Sequence, residues 1–321
     1  MPSKSDSYTP PVQSSLVRKL LNGDMTFTVE ISPPVSGFGD DMLEMVRKFQ
    51  PYIDAVNITD GAGANVGISN IAAGALFKIN DIDVILQLNC RDQNRIGLIN
   101  DLLGAAALGI NNIIAIRGDN PGAGDHPNAK GVFDLKSHEL IRIAYEMTTR
   151  GNVPARTMKV STTGIKANSK PISGPPQFFI GAIDVPSLAG DDVWASRIHK
   201  KVAAGIKFIQ TQACYDLDLI KRYMTMLADQ GLLENLFVVI STSPQVSVQS
   251  AQWVKENIWG VEIPDNIIAR LKGAKDSEAE GVKICQEQIE ELLMIPGIAG
   301  INLIERDNAG SIEAVLQSLT L

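Results

Sequence analysis

Strand-length runs rich in β-branched and apolar residues alternate with longer segments of helical period along the whole chain, and few folds accommodate that alternation. The strand runs are Phe27–Ile31, Asp54–Thr59, Asp83–Asn89, Asn112–Arg117, Gln177–Asp184, Ile206–Gln212, Leu236–Ser241 and Ile298–Ile304. Helical patterns fall between them, near Asp40–Phe49, Ile68–Ile79, Gln93–Gly109, Lys136–Arg150, Asp191–Ala204, Leu217–Gln230, Val248–Asn257 and Asp276–Leu293. Eight parallel strands with helical crossovers can join the first strand to the eighth and so remove both sheet edges. The expected fold class is therefore α/β, a single (β/α)8 TIM barrel, with an open doubly wound sheet as its rival. The expected division is an N-terminal extension with a short helix over 1–24 and a catalytic barrel over 25–321.

Composition narrows the function classes. With 321 residues, 45% of them hydrophobic, the chain can bury a large core. Its formal net charge of −7 offers no general attraction for nucleic acid, although a local basic cluster could hold one anion. Cys90, Cys214 and Cys285 are far apart and lack metal-ligand spacing, which reads as reduced thiols, with no metal site expected. The first 21 residues show no unbroken apolar run, so the expectation is a soluble cytoplasmic protein without a membrane partner.

Strand side chains in a closed barrel alternate between the lumen and the helices, so polar residues of one parity should converge at the C-terminal mouth. This parity places Thr28 and Glu30, Asn57 and Thr59, Gln87 and Asn89, Arg117, Asp184, Gln210 and Gln212, and Ser241 at that end, with Asp119 just beyond. So many polar groups at the end where barrel enzymes carry their sites point to a small-molecule ligand. Glu30, between Val29 and Ile31, is the most pointed of them. Apolar surroundings would raise its pKa toward a general acid's range, whereas a pairing with Arg117 across the barrel would lower it.

The loops after the strands add candidates whose alternatives stay open. Arg117–Asp125 combines a cation, an acid and glycines that let a planar ligand approach, or it is an ordinary polar turn with an Arg–Asp pair. Gly61–Gly67 suggests a dinucleotide fingerprint, but its spacing is one residue too long and the next strand ends in Gln87 and Asn89 where an acid is needed. Gly151–Pro176 reads as a long loop before the fifth strand, either a disordered insertion or a lid. His199-Lys200-Lys201, with Arg197 in the same helix, could grip a pyrophosphate or form a solvated face. Trp194, Trp253 and Trp259 read as packing residues.

Taken in order, Phe27–Pro34 (FTVEISPP), Arg91–Arg95 (RDQNR), Leu102–Ile110 (LLGAAALGI), Arg117-Gly118-Asp119, Val132-Phe133-Asp134 and Thr211-Gln212 resemble the 5,10-methylenetetrahydrofolate reductase family. The resemblance runs from about Phe27 to Glu305. It implies a flavin-containing barrel that reduces 5,10-methylenetetrahydrofolate to 5-methyltetrahydrofolate, in the one-carbon metabolism that feeds methionine biosynthesis. In that scheme NADH or NADPH reduces FAD and leaves, and the folate then takes the hydride, a ping-pong cycle. Glu30 matches the family's general acid and Asp119 the acid beside flavin and pterin. Thr59, Gln87, Arg117, Gly118, Asp119, Lys200 and Lys201 match cofactor-binding positions, the two lysines as pyrophosphate contacts, and Gln212 matches a substrate-binding glutamine. The chain departs from the family where Gln87 replaces a histidine, where Ala213 and Cys214 replace aromatic residues, and at Asp184-Val185-Pro186. A flavin-free folate- or pterin-binding barrel of a methyltransferase system, or a non-catalytic flavin-binding subunit, are the alternatives. Oligomeric state is not legible, and a homo-oligomer is allowed.

Overall fold

Eight of the runs rich in valine, isoleucine and phenylalanine become strands because both faces of each are covered, one by the lumen and one by a helix. The computed structural model describes residues 14–154, 169–188, 191–306 and 308–319. Its strands are β1 (Thr26–Ile31), β2 (Ala55–Ile58), β3 (Val84–Asn89), β4 (Asn112–Ile116), β5 (Phe179–Asp184), β6 (Phe208–Ala213), β7 (Phe237–Thr242) and β8 (Ile298–Ile304). Each pairs in parallel with its sequence neighbours, and β8 returns to β1, with Thr28 opposite both Ala55 and Asn302, so the expected barrel closes.

Around the barrel lie α2 (Asp40–Phe49), α3 (Asn70–Lys78), α4 (Arg95–Ala107), α5 (Ser137–Arg150), α6 (Asp191–Ala204) and α7 (Leu217–Asp229). The β7–β8 connection holds three helices, α8 (Val248–Asn257), α9 (Asp265–Gly273) and α10 (Ser277–Leu293), and α11 (Ala309–Ser318) follows β8. Sequence periodicity locates neither α9 nor α11. Among the described residues no helix is long and apolar enough to cross a membrane. Of the loop over Gly151–Pro176, Asn152–Val153 pairs antiparallel with Lys170–Pro171, while residues 155–168 lie outside the described residues.

The lumen is graded from apolar to polar, and this grading positions the site. At the N-terminal end Ala55, Ile85, Ile114, Phe179 and Phe208 form a small separate core, with the Phe179 and Phe208 rings stacked 5.1 Å apart. A short helix, α1 (Ser15–Asn22), completes it by inserting Leu16, Val17 and Leu20, each at most 2% exposed. Ser14 caps that helix, accepting from the Val17 N–H and donating to Asn112 Oδ1, and Gly23 ends it in the left-handed region at φ 79°. Burying each of these three side chains contributes about 2 kcal/mol, which seats α1 firmly. One layer up, Thr28 donates to Asn302, and Asn302 donates to Ser241. The polar mouth lies above this layer.

Candidate active site

Glu30 forms the floor of the mouth. It is half-buried, and its Oε2 accepts from Gln210 Nε2 at 2.8 Å, Gln87 Nε2 at 3.1 Å and Asn57 Nδ2 at 3.2 Å. The amides also bond one another: Asn57 donates to Gln210 Oε1 at 2.7 Å and Gln87 donates to Asn57 Oδ1 at 3.1 Å. Burial raises the Glu30 carboxyl above its ordinary 4.5, and the opposing pulls of Gln210, the Arg306 charge and Gln87 do not cancel the rise. The cation near Glu30 is thus Arg306, beyond β8, and not Arg117. A ring of neutral amides keeps the carboxyl oriented while burial favours its proton, an arrangement suited to a general acid.

The β2 and β4 loops form one wall. Asp119 is exposed, and its Oδ2 accepts from the Gly63 N–H at 2.9 Å; Asp125 accepts from the Val66 N–H at 3.0 Å. The loops meet so closely that a Cβ on Gly124 would lie 1.9 Å from the Ala64 carbonyl oxygen. Gly61–Gly67 therefore acts as a packed partner of the β4 loop. Gly118 takes φ +84° against Asn89 and Arg91, a conformation that favours glycine. Between these loops is a cavity of about 510 Å³, lined in part by Thr59, Asp60, Arg91 and His126. Asp60 accepts from the Asn89 N–H at 2.8 Å, and burial lifts its carboxyl to about 6.

The strand-end parity holds for β1, β2 and β3 and fails at two positions. Arg117 lies past the end of β4, where Ile114 and Ile116 take the lumen side, and its guanidinium sits 4.7 Å over the Phe133 ring. Asp184 faces the helix layer, because Phe179 and Ile183 of β5 belong to the lumen core. Gln212 reaches the rim, where β6 shifts register, and its Nε2 meets the Trp259 carbonyl at 3.5 Å. Glu30, Asp119 and Gln212 nonetheless share the C-terminal end of the barrel. Trp194 is buried as a packing residue should be, but Trp253 and Trp259 are 56% and 71% exposed. Asn302 and Arg306, both acting on Glu30, escape the sequence reading. Extending the parity to β8 finds Asn302, whereas nothing local marks Arg306.

Colinear motifs combined with a half-buried carboxyl at the floor of a closed barrel suggest one family. The family model described as methylenetetrahydrofolate reductase matches residues 15–153 and 184–320. The chain belongs to that family. Relatives of the methylenetetrahydrofolate reductase family include methylenetetrahydrofolate reductase 2 of Schizosaccharomyces pombe, 24% identical over 87% of this chain and 42% of its own. A probable methylenetetrahydrofolate reductase (NADPH) of Caenorhabditis elegans is 24% identical over 92% of this chain and 42% of its own. Methylenetetrahydrofolate reductase (NADH) 1 of Arabidopsis thaliana is 24% identical over 93% of this chain and 49% of its own. The chain thus spans less than half the length of these curated relatives.

The family resemblance implies FAD, and the residues at the two ends of such a cofactor differ in their fit. Thr59 lines the cavity between the β2 and β4 loops, and Gln87 on β3 and Gly118 and Asp119 after β4 lie toward the same end of the barrel. At the phosphate end, Lys201 Nζ is spent on Ile183 O at 2.6 Å and Asp184 Oδ1 at 2.8 Å. Lys200 is exposed and faces an outer groove between α4, α5 and α6, beside Arg95, His138 and Arg142. The two lysines expected to grip a pyrophosphate therefore do not converge, and neither of them, among the described residues, is placed to hold the phosphates of a dinucleotide flavin.

Proposed function

We propose that the protein reduces 5,10-methylenetetrahydrofolate to 5-methyltetrahydrofolate, with NADH or NADPH as the source of electrons. The observation that carries this reading is the Glu30 carboxyl at the barrel floor, held by three amides, with burial raising its pKa. In the substrate the methylene carbon bridges N5 and N10 in a five-membered ring. Glu30 delivers a proton to N10 as the N10–carbon bond breaks, which leaves an iminium at N5. Gln212 on the rim hydrogen-bonds the pterin, and the carboxylate of Asp119 favours the cationic iminium. The packed loops of β2 and β4 reduce the water that would otherwise hydrolyse it. Family membership supports the reaction class, and relatives named for NADPH and for NADH leave both donors open.

The experiment is direct assay of 5-methyltetrahydrofolate formation and donor oxidation with each nicotinamide. Glu30→Gln keeps the volume and the hydrogen-bonding shape but lacks the acidic proton. It should slow folate reduction by on the order of 10²–10⁴-fold with an unchanged circular dichroism spectrum. A wild-type rate in this variant, or no 5-methyl product from the parent protein with any donor, would overturn the assignment.

A further inference from the structure

The strongest unabsorbed feature is a charged cluster under the β5 end of the mouth. Asp184 is 1% exposed, and both its carboxylate oxygens are taken. Arg197 grips it as a fork, Nε to Oδ1 at 2.8 Å and Nη2 to Oδ2 at 3.0 Å. Lys201 adds a 2.8 Å bond to Oδ1, and the Tyr223 hydroxyl donates to Oδ2 at 3.0 Å. The cations have further internal duties: Arg197 Nη2 donates to the Val185 carbonyl at 3.0 Å and Lys201 to the Ile183 carbonyl. A diphosphate drawing on these cations would strand a buried carboxylate and lie beside its negative charge, both of which oppose binding. Two of the α6 cations that sequence offers to a phosphate, Arg197 and Lys201, are thus an internal clamp on the protein's own acid.

The ring side of the mouth is also internally committed. The Gln87 amide donates to Glu30 and Asn57, the Thr59 hydroxyl donates to Ser32 Oγ at 3.1 Å, and Asp119 accepts from the Gly63 N–H. A resident dinucleotide must bind orders of magnitude more tightly than a substrate that comes and goes. With Arg197 and Lys201 held on Asp184, the α6 cations among the described residues meet only the weaker requirement. A nicotinamide that visits and leaves suffices for that.

We infer that Asp184, by sequestering Arg197 and Lys201, excludes a resident FAD, so that hydride passes directly from the reduced nicotinamide to the folate. This rests on the reductase reading above. In the step, the C4–H bond of the dihydronicotinamide breaks and its electron pair forms a new C–H bond at the exocyclic iminium carbon. The C=N π pair moves to N5, and the nicotinamide ring becomes the oxidised cation. The proton that Glu30 gave to N10 is replaced from water after product leaves. One reduced nicotinamide, one proton and one methylene substrate therefore give one oxidised nicotinamide and one 5-methyl product.

Two measurements on the full-length protein decide it. Fluorescence titration with FAD, and flavin released per chain on denaturation, should show no tight site; stoichiometric flavin would overturn the inference. Turnover with NADH or NADPH deuterated at C4, each epimer in turn, should place one deuterium in the product methyl group in ordinary water. It should take none from D₂O when the donor is unlabelled. A flavin intermediary exchanges its N5 hydrogen with solvent, so loss of donor label and gain of solvent label at the methyl would overturn the inference. Product formed only after FAD is added would overturn it while leaving the reductase reading intact. No product with or without FAD would sink both.

Discussion

At the residue scale, Glu30 ties burial to an observable pH dependence. Its carboxyl is raised by burial, so the proton that the proposed ring opening uses persists above the ordinary glutamate range and is lost as pH rises through the raised value. The folate-reduction rate should fall along that limb, and Glu30→Gln should abolish the limb. Arg306 opposes the rise, so Arg306→Met should move the limb to higher pH, read from rate profiles of the two proteins. Asp184 has the opposite sign. Burial would raise it, but the Arg197 bonds and the Lys201 charge outweigh burial and hold it below its ordinary 3.8. Its contribution to stability is present above that ordinary value and is lost as pH falls through the depressed one. Asp184→Asn leaves two partly buried cations short of their counter-charge and should cost about 3 kcal/mol in urea unfolding at neutral pH. Glu30 was legible in the sequence because β1 alternates cleanly between polar and apolar residues. Asp184 was not, since β5 carries Phe179, Ile180 and Ile183 on both parities and offers no polar contrast to set its phase.

At the element scale, helices are placed by caps and by the room their small residues leave. In α10, capped by Asp276 accepting from Glu278 and Ala279, Gly281 lies where a Cβ would meet the Gln245 carbonyl oxygen at 2.0 Å. Gly104 in α4 faces open space. Gly281→Ala should therefore lose about 1–3 kcal/mol despite its better helix propensity, whereas Gly104→Ala should gain up to about 1 kcal/mol, both read from thermal melts. The same logic explains what periodicity overlooked. α9 shares the β7–β8 connection with α8 and α10, where the strand–helix alternation calls for one helix, and α11 follows the last strand with few charges to mark an outer face. Element identity along the rest of the chain was legible because each strand run is β-branched and each helix run spans two turns or more.

At the scale of the whole molecule, closure sets what the residues can do. Motif order and the strand count made the barrel and the family readable, because both depend on patterns that run the full length of the chain. The commitments of Lys201 and Lys200 depend on which face of α6 meets β5, a tertiary fact that no local spacing encodes. The stopper formed by α1 is equally global: Leu16, Val17 and Leu20 complete a core drawn from β2, β3, β4, β5 and β6. Leu16→Ala should destabilise the protein by about 2–4 kcal/mol in urea titration, as expected for a cavity in a closed lumen. With that end plugged, the lumen is a cul-de-sac. Everything that reacts over Glu30 must arrive and depart through a single doorway, so whichever molecule settles deepest has to be first in and last out. A spent reactant lingering on the threshold would then imprison the deeper one behind it.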